Sequence, residues 1–256
     1  MDDNIEFVVR GKGSDISNDF LEPIIIPIET HEAKLGLKNF STYNNIPNVE
    51  AGRNNKLLIR VPHTTNFKIF ELDTGAYELK IIAQQIYDWI EINNPRLKDV
   101  RENFKLIGNE ATSKAEFIFK DDYAVDFDVD NGIHELLGFK RTRIFQGIGR
   151  YVAGGIVSIV NVTQLIFNCN ITTSNYINGK EMPFLYNCGI DVPVAYRLAR
   201  ELTDISYKNL TTSQISRIRI WIVDQDGALV NLQNDDLVVT LSFKLKPKIT
   251  KVSIEQ

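Results

Sequence analysis

Imidazoles are the side chains best suited to hold a transition metal, and this chain has three of them, His31, His63 and His134. A metal site of the cupin kind on a β-scaffold needs clustered histidines. No two of these form an H-x-H, H-x-x-x-H or H-E-x-x-H unit, so each reads as a loop or surface residue. Asp224-Gln225-Asp226-Gly227 has the look of a fragment of a calcium loop. An EF-hand, however, requires a glutamate six positions past the glycine, where this chain has Gln233. The fragment therefore reads as a tight hairpin between two strands, Arg217–Val223 and Leu237–Leu245. Gly147-Ile148-Gly149 and Gly154-Gly155 are glycine-rich, yet no Gly-Lys-Ser/Thr follows and no helix opens behind them, as a phosphate cradle would need. No G-x-S-x-G elbow is present. Asp121, Asp122, Asp126, Asp128 and Asp130 form an acidic run around a strand, and at period 2 the last three share a face. A glycosidase pair or a divalent-ion site can be drawn from them, but a solvated strand face is the reading adopted.

Two basic stretches remain. Lys140-Arg141-Thr142-Arg143 with Phe145, Arg150 and Tyr151 mixes cations and rings, as a phosphate backbone or a base-stacking platform would require. Arg and Tyr are equally enriched at protein interfaces, and a subunit interface is preferred here. Lys244, Lys246, Lys248 and Lys251 alternate with apolar residues and read as an exposed final strand whose lysines discourage edge pairing. Docking on an acidic partner is the alternative. The net charge of −4 supplies no overall basic field. Cys169 and Cys188 form no C-x-x-C pair and read as free thiols, with a disulfide between them left open. No catalytic, cofactor-binding or metal-ligating residue is assigned on these grounds. No cofactor, enzymatic activity or direct nucleic-acid contact is expected.

The elements that position these residues are mostly strands. Runs rich in Ile, Val, Phe and Tyr recur between Asn, Asp, Gly and Pro clusters: 5–9, 20–28, 33–40, 57–61, 67–72, 104–107, 115–119, 124–127, 156–171, 184–186, 202–207, 217–223 and 237–245. Pro23 and Pro27 place the second of these at an edge or a bulge. Asn178-Gly179 signals a turn. One amphipathic helix is predicted near 77–93, from Leu79, Ile82, Ile86, Trp89 and Ile90 at spacings of three and four, with Asp73 or Thr74 as its cap and Asn93-Asn94-Pro95 as its stop. Long loops are expected near 140–155 and 172–200, and these are the segments expected to be exposed or to lie between subunits. The chain has 256 residues, 43% of them hydrophobic and 24% charged. That suits one large β-sandwich or barrel, or at most two small domains, and a single domain over 1–256 is the reading adopted. The acidic start, Met1-Asp2-Asp3-Asn4, lacks the basic and apolar regions of a signal peptide, and no stretch reaches the ~18 apolar residues of a membrane span. Cytosolic synthesis is expected, and the sequons at Asn39, Asn161, Asn170 and Asn209 read as coincidental.

Several blocks, in order, resemble a known family. They are Tyr77-Glu78-Leu79 after Gly75, Val125-Asp126-Phe127, Asn131-Gly132-Ile133-His134-Glu135-Leu136-Leu137-Gly138-Phe139, Val160-Asn161-Val162, Phe167-Asn168-Cys169-Asn170-Ile171, and Ile220 through Asn231 with its Asp-Gln-Asp-Gly-x-Leu-Val-Asn run. Over roughly residues 20–245 the chain resembles the penton-like minor capsid proteins of Maverick/Polinton-like viruses, of the adintovirus type. The resemblance implies an all-β fold, a single jelly-roll β-sandwich or barrel of about eight core strands with loop insertions. It further implies a homopentamer at the vertex of an icosahedral virion, with the double-jelly-roll major capsid protein as neighbour and a host receptor as a further partner. Synthesis in the host cytoplasm, with assembly there or in the nucleus, goes with that reading. Gly138 and Gly227 would permit tight turns, and Leu136, Leu137 and Phe139 would fill the core. The short acidic N-terminus departs from the longer arm typical of the family. A carbohydrate- or receptor-binding jelly-roll module without a capsid role is the alternative.

Overall fold

The computed structural model describes residues 3–248 apart from 28, 142, 160, 161, 174 and 178. Outside the described residues lie Met1 and Asp2 of the acidic start, Ile28 of the second expected strand and Thr142 of the basic run. Val160 and Asn161 of one motif, Asn178 of the expected turn and Lys251 also fall there. In chain order the elements are β1 Asp3–Lys12, β2 Asp15–Ile25, β3 His31–Tyr43, β4 Lys56–Arg60, β5 Lys68–Glu71, α1 Leu79–Asn93, α2 Val100–Asn103, β6 Phe104–Asn109, β7 Lys114–Phe119, β8 Ala124–Asp126, β9 Ile144–Gln146 and β10 Gly149–Val152. They continue with β11 Gln164–Cys169, β12 Asn175–Ile177, β13 Lys180–Met182, β14 Phe184–Gly189, β15 Arg197–Glu201, β16 Lys208–Asn209, β17 Gln214–Val223 and β18 Asp236–Pro247.

The single domain expected over 1–256 is instead two compact units, Met1–Ile46 with Val162–Gln256, and Pro47–Asn161. The second is an insertion with a hydrophobic core of its own, which is what lets a segment of this length stand as a separate body. The expected loop at 140–155 contains β9 and β10, and the one at 172–200 contains β12 through β15.

The first unit is a jelly roll. Leaving aside the short β12, β13 and β16, its strands are β1, β2, β3, β11, β14, β15, β17 and β18. One sheet runs β1-β18-β3-β15, with β16 added on β3; the other runs β14-β11-β17-β2. In chain order these are first-eighth-third-sixth and fifth-fourth-seventh-second, the strand order of a jelly roll. Period-2 alternation builds the core between the sheets. On β17, Ile218, Ile220 and Ile222 are fully buried while Arg217 and Arg219 face out. On β18, Leu237, Val239, Leu241 and Phe243 turn inward. Phe40 from one sheet meets Phe167 from the other with ring centroids 4.6 Å apart. Each such side chain, once fully buried, contributes about 2 kcal/mol.

One irregularity keeps this core in phase. Leu35 and Leu37 of β3 point inward, and so does Phe40, which strict alternation would send to the other face. The register explains it: Leu37 pairs with Leu241 and Asn39 with Thr240, so Lys38 has no partner on β18. This extra residue is a β-bulge that shifts the inward positions from odd to even. The carbonyl of Lys38 accepts instead from the Leu202 amide at 2.8 Å, and its ammonium reaches Glu6 at 2.5 Å.

Three expectations are corrected here. Asp224–Gly227 turns tightly but does not join β17 to β18 as a hairpin, because those strands lie in different sheets. The chain folds back on β17 through a Val223–Leu229 bridge, buries Val230 and Leu232, and then enters β18. The lysines of β18 guard no edge, since that strand sits between β1 and β3. The expected strand at 202–207 is irregular chain between β15 and β16. Gly36 of β3 makes room for it, since a Cβ there would lie 2.3 Å from Ile205 Cγ2. β2 is an edge strand, as Pro23 within it requires, and its pairing with β17 shifts register opposite residues 20–23.

The inserted unit holds a four-stranded sheet, β5-β4-β8-β9, a three-stranded sheet, β10-β7-β6, and the helices. α1 buries Ile82, Ala83, Ile86 and Ile90, and Trp89 packs edge-on against Phe70 at 5.8 Å. No side chain caps α1 at Glu78. Buried Asn48 pins the entry instead, accepting from the Tyr77 amide and donating to its carbonyl at 2.8 Å each. Phe104, Phe117, Phe119, Tyr123, Phe127, Phe139 and Phe145 form a continuous aromatic core, with Phe127 and Phe139 stacked at 4.9 Å. Residues 155–158 form no strand. The Gly155 amide donates to Gly138 and that of Ser158 to Leu136, both at 2.9 Å, so this segment lies against the Leu136–Phe139 turn.

Gly138 is fixed by two constraints. Its φ is +75°, and a Cβ would stand 2.5 Å from the Gly155 carbonyl oxygen. Gly147 has a similar φ of +78° with nothing within 4 Å. Gly147→Ala should therefore cost about 1 kcal/mol, the conformational term alone, and Gly138→Ala about 3 kcal/mol. Denaturant melts of the two variants measure the difference.

Candidate functional surfaces

The structure separates the residues that chemistry would have to bring together. Among the described residues no group of three or more His, Cys, Asp or Glu is placed to hold a metal ion. His63 lies exposed in a turn at φ 65°. His31 meets Thr30 Oγ1 through Nδ1 at 2.9 Å, and His134 sits in the turn beside Gly132. The acidic run is divided among different cations. Asp122 takes a two-pronged contact from Arg60 at 3.0 Å, which holds its carboxyl below the usual carboxylate range. Asp128 and Asp130 face Arg141 at 3.6 and 2.6 Å, while Asp126 accepts from the Asp128 amide at 2.9 Å. Carboxylates paired this way are turn and strand-end features.

Asp224 Oδ1 accepts from the amides of Asp226 and Ala228, both at 2.9 Å. Gly227 takes φ 84°, and Gln225 Oε1 accepts from the Thr163 amide at 3.0 Å. The Asp-Gln-Asp-Gly block thus builds a turn and ties it to the start of β11.

The basic and aromatic stretch is not a stacking platform. Phe145 is buried, packed on Phe139 at 5.2 Å and on Tyr151 at 5.1 Å. The Arg143 guanidinium lies 5.3 Å from the Phe145 ring. Arg150 grips Glu116 at 2.7 and 2.8 Å. Glu116 is buried, with its side chain 2% exposed, and Asn109 donates to it at 3.1 Å. Hydrogen bonds from Arg150 first, then Asn109, hold its carboxyl below the ordinary glutamate value. A carboxyl whose folded value is lowered stabilises the fold above its unfolded value, here 4.5, and loses that contribution as pH falls through the folded value. Glu116→Gln should therefore flatten the acid limb of the stability profile relative to the parent below about pH 4.5. Thermal melts across that range give the comparison.

Cys169 and Cys188 are free and buried, at different levels of the β11–β14 pair. Burial pushes the Cys169 thiol up to about 12 and that of Cys188 up to about 11. Thiolate is the reactive form. In the native protein at pH 8 neither thiol should react promptly with a disulfide reagent, whereas both should react after denaturation.

One concavity was not visible in the sequence. A groove of about 840 Å³ lies in the inserted unit, lined by Leu79, Leu106, Ile107, Ile156, Val157 and Ile159, with Glu78, Lys80, Asn109 and Glu110 among its polar residues. Ile156 is 64% exposed. The sequence reading gave it to a strand, and only the docking of 155–158 on the Gly138 turn reveals it as a groove wall. In the jelly roll, Tyr176 and Tyr196 of the 172–200 stretch are exposed. Ala195 beside Tyr196 adopts φ 66°, and its turn is held to Asn44 by reciprocal backbone bonds of 2.9 Å. No helix of the described residues is long and apolar enough to cross a membrane.

No protein-family model matches the chain, and no curated protein matches it. Among solved structures it is similar to the SeMet-labelled mavirus penton protein, at 12% sequence identity and a TM-score of 0.49, over 96% of this chain and 100% of that one.

Proposed function

We propose that this chain is a non-enzymatic structural subunit of a viral capsid, a penton-type minor capsid protein that closes as a pentamer at the vertex of an icosahedral virion. The observation that carries the reading is the strand order of the first unit, a complete jelly roll, in a chain whose motif blocks resemble that family. The two most specific blocks behave as structural parts: Leu136, Leu137 and Phe139 are buried, and Asp224–Gly227 builds a turn. The sheets leave β1, β15, β14 and β2 as edges, which neighbouring copies can cover. A ring repeats one heterologous interface until it closes. The neighbour in the shell would be a double-jelly-roll major capsid protein, and a host receptor would meet the exposed loops. The place of action is the virion, after synthesis in the host cytoplasm.

A second reading has one observation in its favour. Exposed Tyr176 and Tyr196 suit a carbohydrate- or receptor-binding module. Light scattering after size exclusion separates the two. The vertex reading expects the mass of five chains. A monomer at every concentration, coupled with selective binding on a glycan array, would displace it.

A further inference from the structure

One margin of the jelly roll carries a feature that the fold does not require. Between the pairs Asp19–Arg217 and Ile24–Ile215, β17 has one residue and β2 has four. The surplus makes Leu21 and Glu22 bow out of the ladder. Leu21 is fully exposed, and Ile25 is exposed as well. Glu22 is exposed and has no ion pair among the described residues. The bulge lies beside β1: Asn18 donates to the Val8 carbonyl at 2.9 Å, and the Phe20 ring meets that of Phe7 at 5.9 Å. The next residues of β2 therefore come level with Ile5, itself exposed. Ile5 opens a row that crosses the larger sheet, since it pairs with Phe243, Phe243 with Leu35, and Leu35 with Lys208 of β16. Lys208 thus stands on the same level at the opposite margin. It has no carboxylate partner among the described residues. Its ammonium lies 5.3 Å from the ring centre of half-buried Phe184, and half-buried Leu210 is two residues on.

We propose that the Leu21–Glu22 bulge of one copy docks on the Lys208 margin of a second copy, with Leu21 against Phe184 and Leu210 and Glu22 against the Lys208 ammonium. A bare leucine on a protruding edge strand is an anchor for another chain. Charge selects which surface it meets. Two bulges set face to face would bring Glu22 against Glu22, whereas Lys208 offers the opposite sign, and like charges across an interface exclude a partner. The contact is therefore heterologous. Repeated about an axis that runs along the strands, it brings the two ends of one row together in successive copies. The inference rests on the vertex reading for closure into a ring, while the contact itself needs only two copies.

The test is disulfide trapping in the full chain. Glu22→Cys and Lys208→Cys are made separately and together, oxidised in air with copper phenanthroline, and resolved on non-reducing gels. Cys169 and Cys188 are buried and do not compete. An equimolar mixture of the two single variants should give a covalent dimer about tenfold more abundant than either variant gives alone. Adding Leu21→Asp to the Glu22→Cys chain should lower that yield about tenfold, the loss of one buried leucine anchor. The chain with both cysteines should give a ladder that stops at five. A mixture no richer in dimer than the separate variants, an equal yield of Glu22→Cys dimer with itself, or a yield indifferent to Leu21→Asp would overturn the contact. A ladder that runs past five keeps the contact and removes the fivefold ring instead, so the two readings fail separately.

Discussion

The jelly roll depends on keeping two faces in register across a gap. Phe40, Phe167 and the inward residues of β17 and β18 interdigitate, and a one-residue slip in any strand would turn its apolar set to water. The bulge at Lys38 is where that constraint is visible. β3 must present Leu35 and Leu37 to one part of the core and Phe40 to another, and its 13 residues cannot do so with unbroken alternation. The extra residue costs one ladder partner, which the Leu202 amide replaces. The same region gives Gly36 its role, because the chain that returns past β15 crosses close to that strand.

The inserted unit solves a different problem. Its strands are short, and its sheets have three and four members, so alternation alone buries little. Aromatic rings fill the volume, joined through stacked and tilted contacts of 4.9–6.2 Å. Such pairs add about 1 kcal/mol each beyond their area. A buried carboxylate in this setting is costly unless fully bonded, and Glu116 meets that condition with Arg150 and Asn109. Arg150, which the sequence grouped with residues of a subunit interface, is therefore engaged within the fold.

Much of the local structure was legible because the pattern and the physics agree. α1 lies where the spacing of Ile82, Ile86 and Ile90 places it, and β17 and β18 follow their alternation. What could not be read was pairing. Neighbours in sequence, such as β17 and β18, part into different sheets, while β1 and β18 join over ten residues. Lysines on β18 suggested an edge because side-chain chemistry reports exposure of a face, and a central strand has an exposed face too. The second unit was hidden because it too consists of short apolar runs between polar clusters, and a core of its own leaves no mark in such a pattern. The groove went unseen for a related reason: Ile156 and its neighbours look apolar enough to be a buried strand, and only the contact of Gly155 with Gly138 shows the segment to be irregular and partly bare.

The pairing of β18 between β1 and β3 has a consequence for how the chain reaches its native state. The strand that fills the centre of the larger sheet comes after all the other jelly-roll strands in chain order, so β1 and β3 are synthesised long before the partner that joins them. The insertion, by contrast, has every residue of its core in one continuous stretch. During translation it can complete its own packing first, as domains that emerge early do. The jelly roll is left with pairings of very high sequence separation, which form slowly. Until β18 arrives, the unpaired edges of β1 and β3 that it will join must be kept from other chains, and this interval is the step at which a cell making the protein in quantity would lose material to aggregation.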